Sequence, residues 1–468
     1  VTSVLRTPGR SDLDALARRL GPGCVSDRDE VRARYARDES TMLEAEPTAV
    51  VRPRTAEEVC EVLRWASAGP FAVVPRGAGT GVAGGCVALG GGVVLSLDRM
   101  DRILELDADN LTLTCEPGVV TARVQEEAQR HGLFYPPDPA SLDSCSIGGN
   151  VVVGAGGARA VKYGTTRDYL LGLQVALADG TLLDLGGKTV KNATGYHLAE
   201  LLVGSEGTLG VVTRVVLRLL PHPSRRVALL LPFADLRGAA RAVARVIRER
   251  IVPAVAEFMD DVTIDAARRY LGRDLPGGAS AGAYALLELD GEDEGALEGE
   301  MVRVGAIAEA EGALEILAAQ DPGQQARLWE SRRCLGEALR ALSPEIGKAD
   351  VVVPRSRVPD LVEAVKGVGR QFGLAAACFG HAGDGNVHVN LLRRDLPREP
   401  WAERLPAAME QVMEITSRLG GLPSGEHGIG VLKKPYLHRF LSPKALELMR
   451  DIKASFDPLG ILNPGKVL

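Results

Sequence analysis

Two histidines, His381 and His388, stand in CFGHAGDGNVHVN (378–390), joined by the tight turn Gly383-Asp384-Gly385-Asn386. A bent loop there could bring both rings to one point. The whole chain has only seven histidines, so two in one short stretch ask for a reason. Further on, SGEHGIG offers a carboxylate, Glu426, with His427 beside it. Two imidazoles and one carboxylate suffice for zinc or a similar divalent ion and leave coordination positions for substrate oxygens. Adjacent residues point different ways, so Glu426 as a ligand leaves His427 to act as a base. The plainer alternative is a pair of loop histidines held by ordinary hydrogen bonds.

A second kind of chemistry is written in glycine. In FAVVPRGAGTGVAGG (71–85) a short apolar run ends at Pro75 and Arg76, and five of the next nine residues are Gly. Such a run reads as a buried strand breaking into a loop whose backbone comes close to a guest. Converging amide N–H groups suit a pyrophosphate, while a solvent-exposed turn is the competing reading. The spacing lacks the Rossmann fingerprint. A second cluster runs from Pro136 to Asp168, with Gly148, Gly149, Gly154, Gly156 and Gly157 interleaved with Ser141, Ser146, Asn150 and Lys162. Ordering so much glycine is costly unless something large lies on it, and two clusters favour a dinucleotide over one phosphate.

The elements that must position these groups follow from the same chain. SDLDALARRL (11–20) with Gly21 predicts a leading helix, and Thr55 with Glu58 predicts a capped helix with Val59, Val62, Leu63 and Ala66 inward. Strands are expected at 71–74, 92–97 and 111–115, a helix near 120–131, a hairpin at 175–185 and a core strand within 209–220 after the loop Gly204–Gly207. Pro221 and Pro223 mark a boundary. Beyond it, strands at 226–231 and 284–289 and helices near 233–249, 293–310, 324–341 and 404–419 suggest a second α+β domain, one antiparallel sheet with helices on one face. A helix at 443–456 would bury Ala445, Leu446, Met449, Ile452 and Phe456. The expected division is 1–221, 222–420 and 421–468.

Composition narrows the class. With 46% hydrophobic residues in 468, the chain is globular and long enough for more than one core. A net charge of −6 gives no basic field for nucleic acid or anionic lipid, so a small anionic substrate needs local Arg, Lys or metal. Seven scattered cysteines without a CxxC pair read as free thiols in a reducing, cytoplasmic compartment and argue against an iron–sulfur cluster here. No apolar run suggests a signal peptide or membrane span.

PRGAGTGVAGG (75–85), SIGGN (146–150), GSEGTLG (204–210), HAGDGNVH (381–388), GEHGIG (425–430) and LNPGK (462–466) together resemble, in order and spacing over roughly 45–468, one flavoprotein family. It is the FAD-linked D-2-hydroxyacid dehydrogenase group: D-lactate dehydrogenases, D-2-hydroxyglutarate dehydrogenases and the flavin subunit of glycolate oxidase. The resemblance implies an α+β chain, with a two-part FAD-binding domain of the vanillyl-alcohol-oxidase type and an α+β substrate domain whose antiparallel sheet is covered by helices. The C-terminal segment would return to the FAD domain.

By that resemblance Arg76, Gly77, Gly79, Thr80 and Gly81 hold the FAD pyrophosphate, and Gly84, Ser141, Gly148, Gly149 and Asn150 continue the cradle. Gly204, Glu206, Gly207 and Val212 would lie along the cofactor, with Asn463 brought back beside the flavin ring. The first glycine loop has no His or Cys of the kind that attaches flavin covalently, so dissociable FAD is expected. Trp329 with Arg332 matches the family's W-x-x-R segment, although Arg333 makes that assignment depend on helix phase. Lys348 in KADVVVP matches its lysine, and Asn390 is a further contact. Both cations suit an anionic 2-hydroxy acid.

The implied mechanism has zinc or manganese on His381, His388 and Glu426 polarising the substrate, His427 taking the hydroxyl proton and hydride passing to flavin N5. It also implies an electron acceptor such as an electron-transfer flavoprotein, a quinone or an iron–sulfur subunit. That partner could tie the protein to a membrane surface, and the reading leaves room for a homodimer. Lactate, 2-hydroxyglutarate and glycolate remain open as substrates. The alternatives are the flavin subunit of a multi-subunit glycolate oxidase and, sharing the FAD domain, an ether-lipid-synthase-like flavoenzyme.

Overall fold

Thr55 opens the helix Ala56–Ala68. Its hydroxyl accepts from the Glu58 N–H at 3.3 Å, and Val59, Val62, Leu63 and Ala66 are buried as their spacing demands. The Glu58 carboxylate takes the Arg54 N–H (2.7 Å), one residue before the position a reciprocal capping box would use. The computed structural model describes residues 5–40 and 42–468, in two units. The first holds the chain through Gly156, Thr165–His222 and Glu426–Leu468; the second holds Gly157–Gly164 and Pro223–Gly425.

In the first unit, β1 (Val25–Ser26), β2 (Ala49–Val51), β3 (Val73–Arg76) and β4 (Val93–Ser96) form a sheet in the order β1-β2-β4-β3. β2, β4 and β3 run parallel and β1 is antiparallel. Leu16 and Leu63, one from each of two helices, pack with Val73, Val93 and Leu95 of this sheet. A second sheet contains β5 (Ile103–Asp107), β6 (Thr112–Cys115), β8 (Leu170–Ala176), β9 (Leu182–Gly186) and β10 (Val211–Arg218), ordered β5-β6-β10-β8-β9. The short β7 (Leu133–Phe134) and β11 (Leu220–Pro221) pair with each other. The SIGGN glycines stand in a short helix, Ile147–Val153, where Ser146 accepts from the Gly149 N–H.

The chain's end adds to the first sheet. The Val73 N–H donates to Ile461 O (2.8 Å) and the Asn463 N–H to Val73 O (2.8 Å). The helix Pro443–Phe456 that precedes this return buries none of its residues fully, so Ala445, Leu446, Met449, Ile452 and Phe456 are half-buried where burial was expected. Polar ties hold it in their place. The Lys453 ammonium donates to Thr208 O (2.6 Å) and Leu462 O (2.9 Å) and pairs with Asp457.

The second unit is built on one seven-stranded antiparallel sheet. Its strands are β12 (Arg225–Phe233), β13 (Val255–Asp260), β14 (Ala283–Gly291), β15 (Leu317–Ala319), β16 (Ile346–Val352), β17 (Ala375–His381) and β18 (Asn386–Leu392), in the order β15-β12-β14-β13-β17-β18-β16. Helices lie on both faces, not one. Leu230, Val255, Met259 and Leu286 pack with Ile264, Ala267, Trp329 and Leu335, while Phe258 and Ala285, on the alternate face, meet Ala239, Val243 and Val358. Buried on both sides, β13 (VAEFMD) and β17 (AAACFGH) lack the polar–apolar alternation of a half-solvated strand. The expected helix at 324–341 is two, Pro322–Arg333 and Leu335–Leu342, parted at Cys334. The bent loop expected around His381 is the tip of the β17–β18 hairpin, where the Gly385 N–H donates to His381 O at 3.0 Å.

In the first unit Gly430 leaves no room for a side chain. A Cβ on Gly430 would sit 2.0 Å from Ala83 O, and its φ is +52°. Gly430→Ala is expected to lower unfolding free energy by about 3 kcal/mol. Gly460→Ala, also at positive φ but with nothing within 4 Å, should cost about 1 kcal/mol. Equal effects in thermal or denaturant unfolding would show that backbone crowding at Gly430 is not the cause.

Candidate functional site

In the first unit, three distant glycine motifs converge on one cleft whose lining includes Arg76, Gly77, Gly148, Gly149, Glu206, Gly207 and Val212. These seven are among the expected cofactor contacts, while Pro117, Val152 and Val211, which also line the cleft, are not. The backbone N–H groups of Gly79–Val82 make no backbone hydrogen bond among the described residues, which suits a loop that donates to phosphate oxygens. The Arg76 guanidinium is partly engaged within the unit: Nη1 donates to Arg37 O (2.8 Å) and Cys86 Sγ (3.3 Å), with Tyr35 beneath it. Gly79 has φ +82°, a conformation that side chains rarely adopt, and a Cβ there would meet the Arg76 guanidinium.

Other expected cradle residues do not line that cleft. The Gly84 N–H donates to Asp38 Oδ2 (2.7 Å), and Ser141 O accepts from the Ser144 and Cys145 N–H groups, both at 2.8 Å. Asn150 donates to Thr121 Oγ1 (2.7 Å). Thr80 is half-buried, and Gly81 and Gly204 are exposed. Asn463 bridges backbones, its Nδ2 donating to Gly85 O (2.8 Å) and Glu206 O (2.7 Å).

Glu206 is the polar anchor of the first unit. It adopts a left-handed conformation, φ +51°. Its carboxylate accepts from the Ile429 N–H (2.6 Å) and the Gly430 N–H (3.0 Å to Oε2). Burial pushes this carboxyl above its ordinary range, and the two N–H groups pull it back. The bonds fix the backbone directly after Glu426 and His427, whose Oε1 and Nε2 lie 3.6 Å apart. Gly156 stands against Glu426, whose Oε2 would be 2.8 Å from any Cβ at that position.

In the second unit, strand alternation gathers the remaining chemistry on one sheet face. The register sets Glu257 opposite His381, His388 opposite both Phe379 and Asp350, and Lys348 opposite Asn390. The His381 and His388 rings meet edge to face, centroids 5.1 Å apart. His381 Nδ1 contacts Glu257 Oε1, and His388 Nδ1 lies 3.5 Å from Asp350 Oδ1. The carboxylate that Glu257 sets against His381 Nδ1 suits a metal-binding histidine. Arg332 Nε donates to Glu257 Oε2 at 2.6 Å, and Arg332 stacks on Phe379 at 4.6 Å. Arg333 turns instead to the Trp329 ring, so helix phase selects Arg332 for this face. Lys348 is exposed. Asn390 is buried and donates to His388 O (3.2 Å).

Two acidic residues on this face are not among the sequence expectations. Asp350 is buried and accepts from Asn386 Nδ2 (2.7 Å) and the Gly425 N–H (3.1 Å). It stands two residues after Lys348, so period-two alternation put it in reach of sequence reading. Glu257 in VAEFMD stands out only as a charge between apolar neighbours, with no alternation to mark its face. All seven cysteines are free thiols, and no helix among the described residues is long and apolar enough to cross a membrane.

Known proteins share both the sequence and this architecture. Residues 47–186 match the FAD binding domain family, and residues 222–467 match the C-terminal domain of FAD linked oxidases. The chain belongs to the FAD-linked oxidase family. It is 39% identical to glycolate oxidase subunit GlcD of Bacillus subtilis, over 96% of this chain and 94% of that protein. It is 34% identical to D-lactate dehydrogenase of Anaerostipes hadrus (96% and 95% covered) and 36% identical to D-2-hydroxyglutarate dehydrogenase of Stutzerimonas stutzeri (97% and 98%). The crystal structure of p-cresol methylhydroxylase with substrate bound shares the fold, with a TM-score of 0.80 at 17% identity over 97% of this chain and 96% of that one. The protein is therefore an FAD-dependent oxidoreductase of the D-2-hydroxyacid dehydrogenase and GlcD type, on an α+β scaffold of the vanillyl-alcohol-oxidase type.

One group beside the first glycine loop gives a pH signature. Lys466 is buried and donates to Val87 O at 2.7 Å, and burial pushes its amine down from 10.5 to about 8. The unfolded chain then binds more protons than the folded one between those values, so stability rises with pH across that window. Compared with Lys466→Met, the wild type should gain at most roughly 3 kcal/mol between pH 8 and 10.5. A pH-independent difference in unfolding free energy would contradict that burial.

Proposed function

We propose that this enzyme oxidises a D-2-hydroxy acid, of the D-lactate, D-2-hydroxyglutarate or glycolate class, to the 2-keto acid and passes the electrons to a separate acceptor. The observation that carries the reading is the pair of edge-to-face imidazoles, His381 and His388, with the Glu257 carboxylate against His381, on the sheet face that also bears Lys348. Those two histidines with Glu426 would hold a divalent ion, zinc or manganese. Arg332 and Lys348 are the cations that would bind the substrate carboxylate. When bound, the ion supplies Lewis acidity and FAD a two-electron acceptor.

His427 would take the hydroxyl proton, with its backbone fixed by the Glu206 bonds to Ile429 and Gly430. A first glycine loop, PRGAGTGVAGG (75–85), without His or Cys supports non-covalent FAD, with Gly77, Gly148 and Gly149 allowing close approach. The 39% identity to a GlcD subunit favours, as a second reading, a flavin subunit that hands electrons to an electron-transfer flavoprotein, a quinone or an iron–sulfur partner.

Stripping divalent metal with a chelator should abolish anaerobic flavin reduction by the hydroxy acid while FAD stays bound, and zinc or manganese should restore it. His427→Asn should slow flavin reduction by about 10²–10⁴-fold with FAD content unchanged. Unchanged reduction rates in a metal-free sample, or in the His427 variant, would remove the corresponding role.

A further inference from the structure

We propose that Glu257 is a shared positioning residue, one buried carboxylate that orients the metal-ligand candidate His381 through one oxygen and the carboxylate-binding candidate Arg332 through the other. The inference rests on the metal and substrate roles proposed above. Glu257 is 1% exposed and sits mid-strand in β13, between Ala256 and Phe258, which face the other side of the sheet. A lone carboxylate there would be strongly disfavoured. Its two partners account for it: Oε1 contacts His381 Nδ1, and Oε2 accepts from Arg332 Nε at 2.6 Å, with an Arg332 terminal nitrogen also 2.6 Å away.

The chemistry gives each oxygen a distinct task. An ionised carboxylate only accepts hydrogen bonds, so the proton of neutral His381 must reside on Nδ1, leaving the Nε2 lone pair for a metal. The other oxygen holds one edge of the Arg332 guanidinium, which fixes the direction of its remaining N–H groups toward a substrate carboxylate. A glutamine at this position could still accept from Arg332 but would offer an N–H to His381. That puts the imidazole proton on Nε2 and blocks the metal.

The test uses the FAD-loaded full chain, stripped of metal and titrated with Zn²⁺ against a chromogenic chelator. Glu257→Gln should weaken zinc binding by about 10–100-fold with FAD content unchanged. Arg332→Lys should raise KM for the hydroxy acid and leave zinc affinity as in the wild type. Wild-type zinc affinity in Glu257→Gln would overturn the proposal. A wild type that binds neither Zn²⁺ nor Mn²⁺ would overturn the metal reading beneath it, a different result. Should Glu257→Gln fail to fold, the ¹⁵N histidine spectrum of the zinc-loaded wild type decides, with His381 assigned by its loss in His381→Asn. A protonated Nδ1 supports the proposal, and a protonated Nε2 overturns it.

Discussion

Backbone packed directly on backbone at Ala83 and Gly430 is the constraint on which the FAD-binding unit depends. The Val431 N–H donates to Ala83 O at 2.9 Å, and there is no room for a side chain at Gly430. Because the two segments approach so closely, the Glu206 carboxylate can reach the Ile429 and Gly430 N–H groups. Asn463 can then tie Gly85 to Glu206. Segments far apart in sequence thus share one anchor, and the residues next to it, Glu426 and His427, inherit its rigidity. Such pre-organisation would serve the proton transfer proposed for His427.

The second unit solves a related problem with a sheet. Antiparallel register sets Glu257, His381, His388, Asp350 and Lys348 on one face without any loop having to hold them. Strands give finer control of side-chain direction than loops do. The cost is burial of charge, and it is met by pairing: Arg332 and His381 on Glu257, Asn386 and Gly425 on Asp350.

The six motifs are legible in the sequence because each carries its reason locally. A glycine run announces close backbone approach, and His381 and His388 flank a visible turn. Chain contacts that depend on the third dimension are not legible. Glu257 meets Arg332 and His381 across 75 and 124 residues, and nothing near VAEFMD names those partners. The strands β13 and β17 escape sequence reading because full burial erases alternation, and the helix break at Cys334 because the nearby Gly336 stands inside the second helix and not at the break. Arg332 and Arg333 are indistinguishable until helix phase turns one toward the sheet and the other onto Trp329.

Whether this site oxidises a 2-hydroxy acid is decided by the visible spectrum of the purified protein, mixed without oxygen with D-lactate, glycolate and D-2-hydroxyglutarate in turn. One of these acids should bleach the flavin's visible absorbance band and be converted to its 2-keto acid. Bound flavin that none of them reduces, with divalent metal restored, would contradict the proposed chemistry.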